Sequence, residues 1–157
     1  MIHKMKIFSF IFILLLLSTC VTISSPSNNI IDKLKIEGKP YFEQLVESQE
    51  YDGLLDKIES GDDFLIREAA VLSQWADASI GLSLRFTLSR AIIKNPDAVM
   101  SLVPETFSVD ELCTIPYIEE PKTVELNHIE MSIAALENSS TSTIAHSECL
   151  NNYMRIM

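Results

Sequence analysis

The stretch 78–94 constrains the fold of this chain more than any other, because it is apolar on nearly every face of a helix. Ile80, Leu84, Leu88 and Ala91 fall on one stripe at helical spacing, while Leu82, Phe86 and Ile93 cover a second. Such a helix has to be surrounded by other elements. The rest of the chain supplies helices for this. Glycine occurs only 4 times in 157 residues, and no alternation of apolar and polar residues runs far enough to read as a strand. The expected class is all-α, with 78–94 as the central core element.

Local signals divide the remainder. Short amphipathic helices are expected around 41–46 and 51–58, the second ended by Gly61 as a C-terminal cap. Asp62 or Asp63 then accepts backbone N–H groups at the start of a helix over 64–75, which makes a helix-turn-helix hairpin. Asn95-Pro96 restarts the chain as N-cap and first helical residue, with a short helix ending near Val103. Between Pro104 and Pro121 the chain reads as irregular, apart from a turn opened by Ser108 and Glu111 as a capping box. Helices over 124–137 and 143–155 close the chain. The expected architecture is about six helices in stacked antiparallel hairpins, a short solenoid or irregular bundle with one Pro-rich irregular loop and one disulfide.

The first 22 residues have a different character. Lys4 and Lys6 precede an apolar run over 7–17, followed by Ser18, Thr19 and Cys20, the layout of an export signal. The run is short against the roughly 20 residues that cross a bilayer, so a cleaved signal is expected rather than an anchor. Leu17-Ser18-Thr19-Cys20 also resembles a lipoprotein box with Cys20 as the lipid acceptor, although Thr19 departs from the usual Gly, Ala or Ser. Cleavage after Cys20 or after Ser24 is the alternative. The domain plan is an export signal over 1–20, a tether over 21–29 and a single helical domain over 30–157.

Either route removes Cys20 from the thiol count and leaves Cys113 and Cys149, which pair by default in an oxidising compartment. Cys113, His128, His146 and Cys149 contain the donors for a tetrahedral zinc ion, but only His146 and Cys149 lie one helical turn apart. The disulfide is therefore the preferred reading, with no metal and no cofactor expected.

The formal charge is -10, and loss of the two signal lysines takes it to about -12. That balance argues against nucleic acid and against an electrostatic grip on anionic lipid, and leaves a basic protein as the natural partner. Asp52, Asp56, Glu59 and Asp63 recur at helical spacing and would share one face if the helix ran past Gly61. They are the candidate partner-binding stripe, with Glu43 and Glu47 extending it, against the plainer reading of a solvated face.

Arg85 and Arg90 sit within the apolar helix, where a buried guanidinium needs a carboxylate or several carbonyls. An ion pair with Glu68 or Asp77 is the simpler expectation, and an anionic ligand the alternative. Trp75 is expected in the core rather than on a carbohydrate platform. The neighbouring carboxylates Glu119-Glu120 and Asp62-Asp63 point different ways, and no phosphate loop, nucleophile elbow or His-Glu-x-x-His pattern is present, so no catalytic residue is expected.

Several strings together, namely Ile58-Glu59-Ser60-Gly61-Asp62, Asp77-Ala78, Asn95-Pro96 with Val99, Cys113 with Ile115-Pro116-Tyr117-Ile118-Glu119, and Cys149-Leu150, resemble small exported bacterial helical proteins that carry no assigned activity. The likeness covers about 51–150 and implies a bacterial envelope location and a paired cysteine, with no catalytic residue to carry over. The expected function is a non-catalytic envelope or periplasmic protein that binds another protein through an acidic helical surface, as an adaptor or a toxin-neutralising partner. The alternative is an envelope small-ligand-binding protein or hydrolase that uses the Pro-rich loop with Arg85 and Arg90.

Overall fold

A computed structural model describes residues 26–117 and 119–157. The expected signal and the lipid-acceptor reading of Cys20 lie outside the described residues. The elements are α1 (Pro26–Glu37), α2 (Lys39–Glu47), α3 (Glu50–Glu59), α4 (Asp63–Arg67), α5 (Ala69–Ser73), α6 (Ala78–Ala91), α7 (Pro96–Met100), α8 (Val109–Leu112), α9 (Lys122–Glu137) and α10 (Ile144–Ile156). The described residues form an all-α fold, with more and shorter helices than the six expected.

Two differences account for two of the extra helices. The chain is already helical from Pro26, inside the stretch read as a tether. Ile31 and Leu34 of α1 are fully buried, and Ser27, also buried, accepts a hydrogen bond from Lys57 Nζ at 2.8 Å, so this helix belongs to the domain. The helix expected over 64–75 is interrupted at Glu68, whose φ of -86° and ψ of 3° leave the helical region. Glu68 Oε2 lies 2.7 Å from Lys35 Nζ of α1, and the break turns α5 onto α1.

Helix α6 is the central element, packed against α3, α5, α7 and α8. Leu84, Leu88 and Ala91 are fully buried, as their stripe requires. The second stripe is not enclosed: Leu82 is 40% exposed, and Phe86 and Ile93 are half-buried. The buried space beside the first stripe goes instead to Thr87 and Ser89, whose hydroxyls have partners. Thr87 Oγ1 accepts from Arg90 at 3.2 Å, and Ser89 Oγ donates to the Thr114 carbonyl at 2.8 Å.

The helix boundaries follow local chemistry. Gly61 closes α3 at φ +94°, where a Cβ would stand 2.9 Å from Lys94 Cβ, so the position needs glycine on both counts. Asp62 caps α4 by accepting from Leu65 N at 3.0 Å. Asn95 caps α7, accepting from Ala98 N at 3.2 Å while its Nδ2 donates to the Gly61 carbonyl at 3.2 Å, and Pro96 takes the first helical position. Ser108 and Glu111 form the capping box of α8. Cys113, directly after α8, is bonded to Cys149 of α10, with the two Cα atoms 5.4 Å apart and 36 residues between them in sequence. Among the described residues no helix is long and apolar enough to cross a membrane.

Candidate functional site

The four carboxylates of the expected stripe do not act as one face. Gly61 ends α3, so Asp63 belongs to the next helix, where Arg67 grips it with two hydrogen bonds of 2.9 and 3.0 Å. That pairing holds the Asp63 carboxyl below the usual carboxylate range. Glu59 accepts from Arg90 Nε at 2.7 Å. Only Asp52 and Asp56 keep the expected character: both are exposed, one helical turn apart, and without an ion-pair partner among the described residues. Glu47 and Glu50, at the turn between α2 and α3, are likewise exposed and unpaired among those residues.

Both arginines of α6 find carboxylates, though not the expected ones. Glu68 is held by Lys35, and Asp77 caps α6 by accepting from Ser79 N and Ile80 N, each at 2.9 Å. Arg85 Nη1 instead lies 4.0 Å from Glu111 Oε1 of α8. Arg90 serves three neighbours, Glu59 on α3, Thr87 within α6 and the Pro116 carbonyl at 3.4 Å. Its guanidinium therefore fastens the Pro-rich loop to the core, each of its three nitrogens donating one hydrogen bond to protein.

Under that loop lies a buried polar cluster that the sequence does not announce. His128 of α9 is 1% exposed, with its ring edge-on to Tyr117 at 5.4 Å and to Tyr153 at 5.9 Å between centroids. Burial, with a smaller contribution from the nearby Arg90 charge, outweighs the opposing effect of the Thr114 backbone and takes the imidazole down to about 4, while Nδ1 makes no hydrogen bond to a described residue. A neutral imidazole is a competent base, but here it is walled by two aromatic rings. Because Cys113 and Cys149 are joined to each other, neither sulfur is available as a ligand or nucleophile.

A second cluster resembles a catalytic constellation and fails the geometry of one. His146 Nε2 lies 3.1 Å from Ser139 Oγ and 3.2 Å from Asp97 Oδ1, while Nδ1 faces Thr143 Oγ1 at 2.7 Å. In a nucleophile-base-acid triad the acid and the hydroxyl contact opposite ring nitrogens. Here both sit on Nε2, and Ser139 directs its single proton to Asp97 at 2.6 Å. The hydrogen-bond pattern places the ring proton on Nε2, with Thr143 donating to Nδ1, so no lone pair faces the serine. Asp97 also accepts from Ser140 at 2.7 Å. The hydrogen bonds from Ser139 and then Ser140 hold its carboxyl well below the usual range. The cluster is a joint that fastens the loop between α9 and α10 to the start of α7.

Trp75 is partly buried and forms one wall of a groove of about 510 Å³ between α2 and the turn into α6. Phe42, Val46 and Ile80 supply its apolar surface, and Glu43, Glu47, Asp77 and Lys39 its charged rim. Neither Arg85 nor Arg90 lines it. Comparison with known proteins finds no matching family, no matching curated protein and no matching solved structure.

Proposed function

We propose that this chain is a non-catalytic exported protein that binds a basic protein partner through its acidic helical surface, as an adaptor or as a neutraliser of a basic toxin. The observation that carries the reading is the distribution of charge. Lys33, Lys35, Lys39, Arg67, Arg85, Arg90 and Lys122 all lie within 4.0 Å of a carboxylate of the chain itself. Seven of the protein's cations thus stand beside carboxylates of the chain itself, while the sequence carries 22 carboxylates against 12 Lys and Arg. Glu47, Glu50, Asp52 and Asp56 concentrate part of that excess around the turn between α2 and α3. A field of one sign speeds encounter with an oppositely charged partner and fixes its approach. The disulfide supports an oxidising compartment, in keeping with the signal-like N-terminus.

The test is affinity capture by C-terminally tagged protein from the source's envelope extract at low and moderate salt, beside an Asp52→Lys/Asp56→Lys variant. A stoichiometric basic protein is expected, retained at low salt and lost both at moderate salt and with the variant. Retention that ignores both changes would sink the acidic-surface reading. The alternative, a ligand held by Arg85 and Arg90, would have to displace Glu111 at 4.0 Å from the first and Glu59 at 2.7 Å from the second.

A further inference from the structure

Within the acidic surface, the groove beside Trp75 has the chemistry of a receptor for one particular side chain. Its wall is the indole of Trp75, packed against the core. Gly38, at φ +64° between α1 and α2, neighbours the ring: a Cβ there would make ordinary van der Waals contact with Trp75 Cζ2 at 3.4 Å. No hydrogen bond from the indole N–H to a described residue is present. The rim carries three carboxylates against one ammonium. Lys39 and Glu43 stand 3.7 Å apart with more than half of each side chain exposed (63% and 61%), a contact worth little in water. Glu47 has no ion-pair partner among the described residues. Asp77 uses Oδ1 for both of its capping hydrogen bonds, and Oδ2 has no hydrogen-bond partner among the described residues.

We infer that this groove takes an arginine side chain from a basic segment of the partner, its guanidinium stacked on Trp75 and its donors met by Glu43, Glu47 and the free oxygen of Asp77. The inference rests on the reading of the chain as a binder of basic protein, and adds the residue type it recognises and the place where it does so. Arginine is specified over lysine because a planar guanidinium lies flat on an indole and forks between carboxylates, whereas an ammonium is compact and strongly hydrated. The apolar floor from Phe42 and Val46 suits the methylene stem of the same side chain.

Trp75 is the only tryptophan, so its fluorescence reports this groove alone. The probes are three fluorescein-labelled nonapeptides in which alanine alternates with arginine, with lysine or with glutamate, titrated into the purified protein at low salt. Anisotropy reads binding, and Trp75 emission reads occupancy of the groove.

The arginine peptide is expected to change Trp75 emission saturably and to bind at least about threefold tighter than the lysine peptide, with none for glutamate. Glu43→Gln/Glu47→Gln, two exposed positions whose replacement leaves the melting temperature near wild type, should weaken it at least about tenfold. Trp75→Phe should weaken it severalfold, and Asp52→Asn/Asp56→Asn should leave it within about twofold.

If the arginine peptide binds while Trp75 emission stays flat and the Glu43/Glu47 variant binds normally, the groove assignment is overturned and the acidic-surface reading survives. Equal binding of the lysine peptide overturns the stacked guanidinium. No binding of either basic peptide overturns both readings.

Discussion

Arg90 of α6 donates from Nε to Glu59 Oε2 of α3 at 2.7 Å, and the same guanidinium reaches the Pro116 carbonyl of the Pro-rich loop. Two packed helices and an irregular segment therefore share one charged group. Arg90→Met keeps much of the stem and removes the fork, and is expected to destabilise by about 1–2 kcal/mol, since the pair is partly solvated. Amides around Cys113 and Thr114 should exchange faster with solvent, while those of α1 stay unchanged. Urea unfolding with hydrogen exchange checks both, and an effect spread evenly over the chain would contradict the fastening role.

The Cys113–Cys149 bond closes a loop with a sequence separation of 36. On the chain-entropy model its loss removes about 4 kcal/mol, a large part of the stability of a domain of this size. Cys113→Ser/Cys149→Ser should unfold at much lower urea, and wild type with a reductant should follow it. Matching midpoints for oxidised and reduced wild type would refute this.

Acid should weaken the fold in two separate windows. His128 is held down at about 4 by burial, so between the ordinary histidine value of about 6.5 and that point the unfolded chain takes a proton that the folded chain refuses. This contribution is complete above pH ~6.5 and falls toward pH ~4, no more steeply than about 1.4 kcal/mol per pH unit. Asp97 is shifted below the carboxylate range by Ser139 and Ser140, so its stabilisation is present above about pH 4 and disappears as the pH drops further. His128→Phe should flatten the upper window, and Asp97→Asn should shrink the lower without abolishing it, because Asp63 and Glu111 are held below the carboxylate range as well. Urea midpoints from pH 3 to 8 decide it, and an upper slope that persists in His128→Phe would assign it elsewhere.

Tyr51 is 4% exposed, and its hydroxyl has no hydrogen-bond partner among the described residues. Burial, with help from Asp52, pushes its ionisation well above the ordinary tyrosine value. Removing an unpaired buried hydroxyl while keeping the ring, which stands edge-on to Phe42 at 5.4 Å, should be neutral or stabilising by up to about 1 kcal/mol. A Tyr51→Phe variant that melts several degrees lower would reveal a partner for that hydroxyl.

What could be read from the sequence was whatever depends on near neighbours. The caps at Gly61, Asp62, Asn95 and Ser108 are visible because donor and acceptor lie within a few residues of each other. Partners brought together by packing were not. Arg90 meets Glu59 across 31 residues, and nothing local distinguishes Glu59 from Glu68 as its acceptor. The same distance problem hid the joint of His146 and Asp97, although Thr143, three residues before His146, does mark a helix start. The acidic stripe is cut short for the opposite reason: its spacing is regular, but Gly61, at positive φ, ends α3 after Glu59 and leaves Asp63 on the next helix.

The loop between α9 and α10 is exposed over 140–144, inside the ring that Cys113 and Cys149 close. A protease that cuts there changes the chain count but not the covalent body, because both fragments remain joined through sulfur. The protein is therefore built to outlast a nick at this turn for as long as its surroundings stay oxidising. Reduction turns the same nick into release of the segment that carries Cys149 and Tyr153, so damage and redox state together, rather than either alone, set its lifetime.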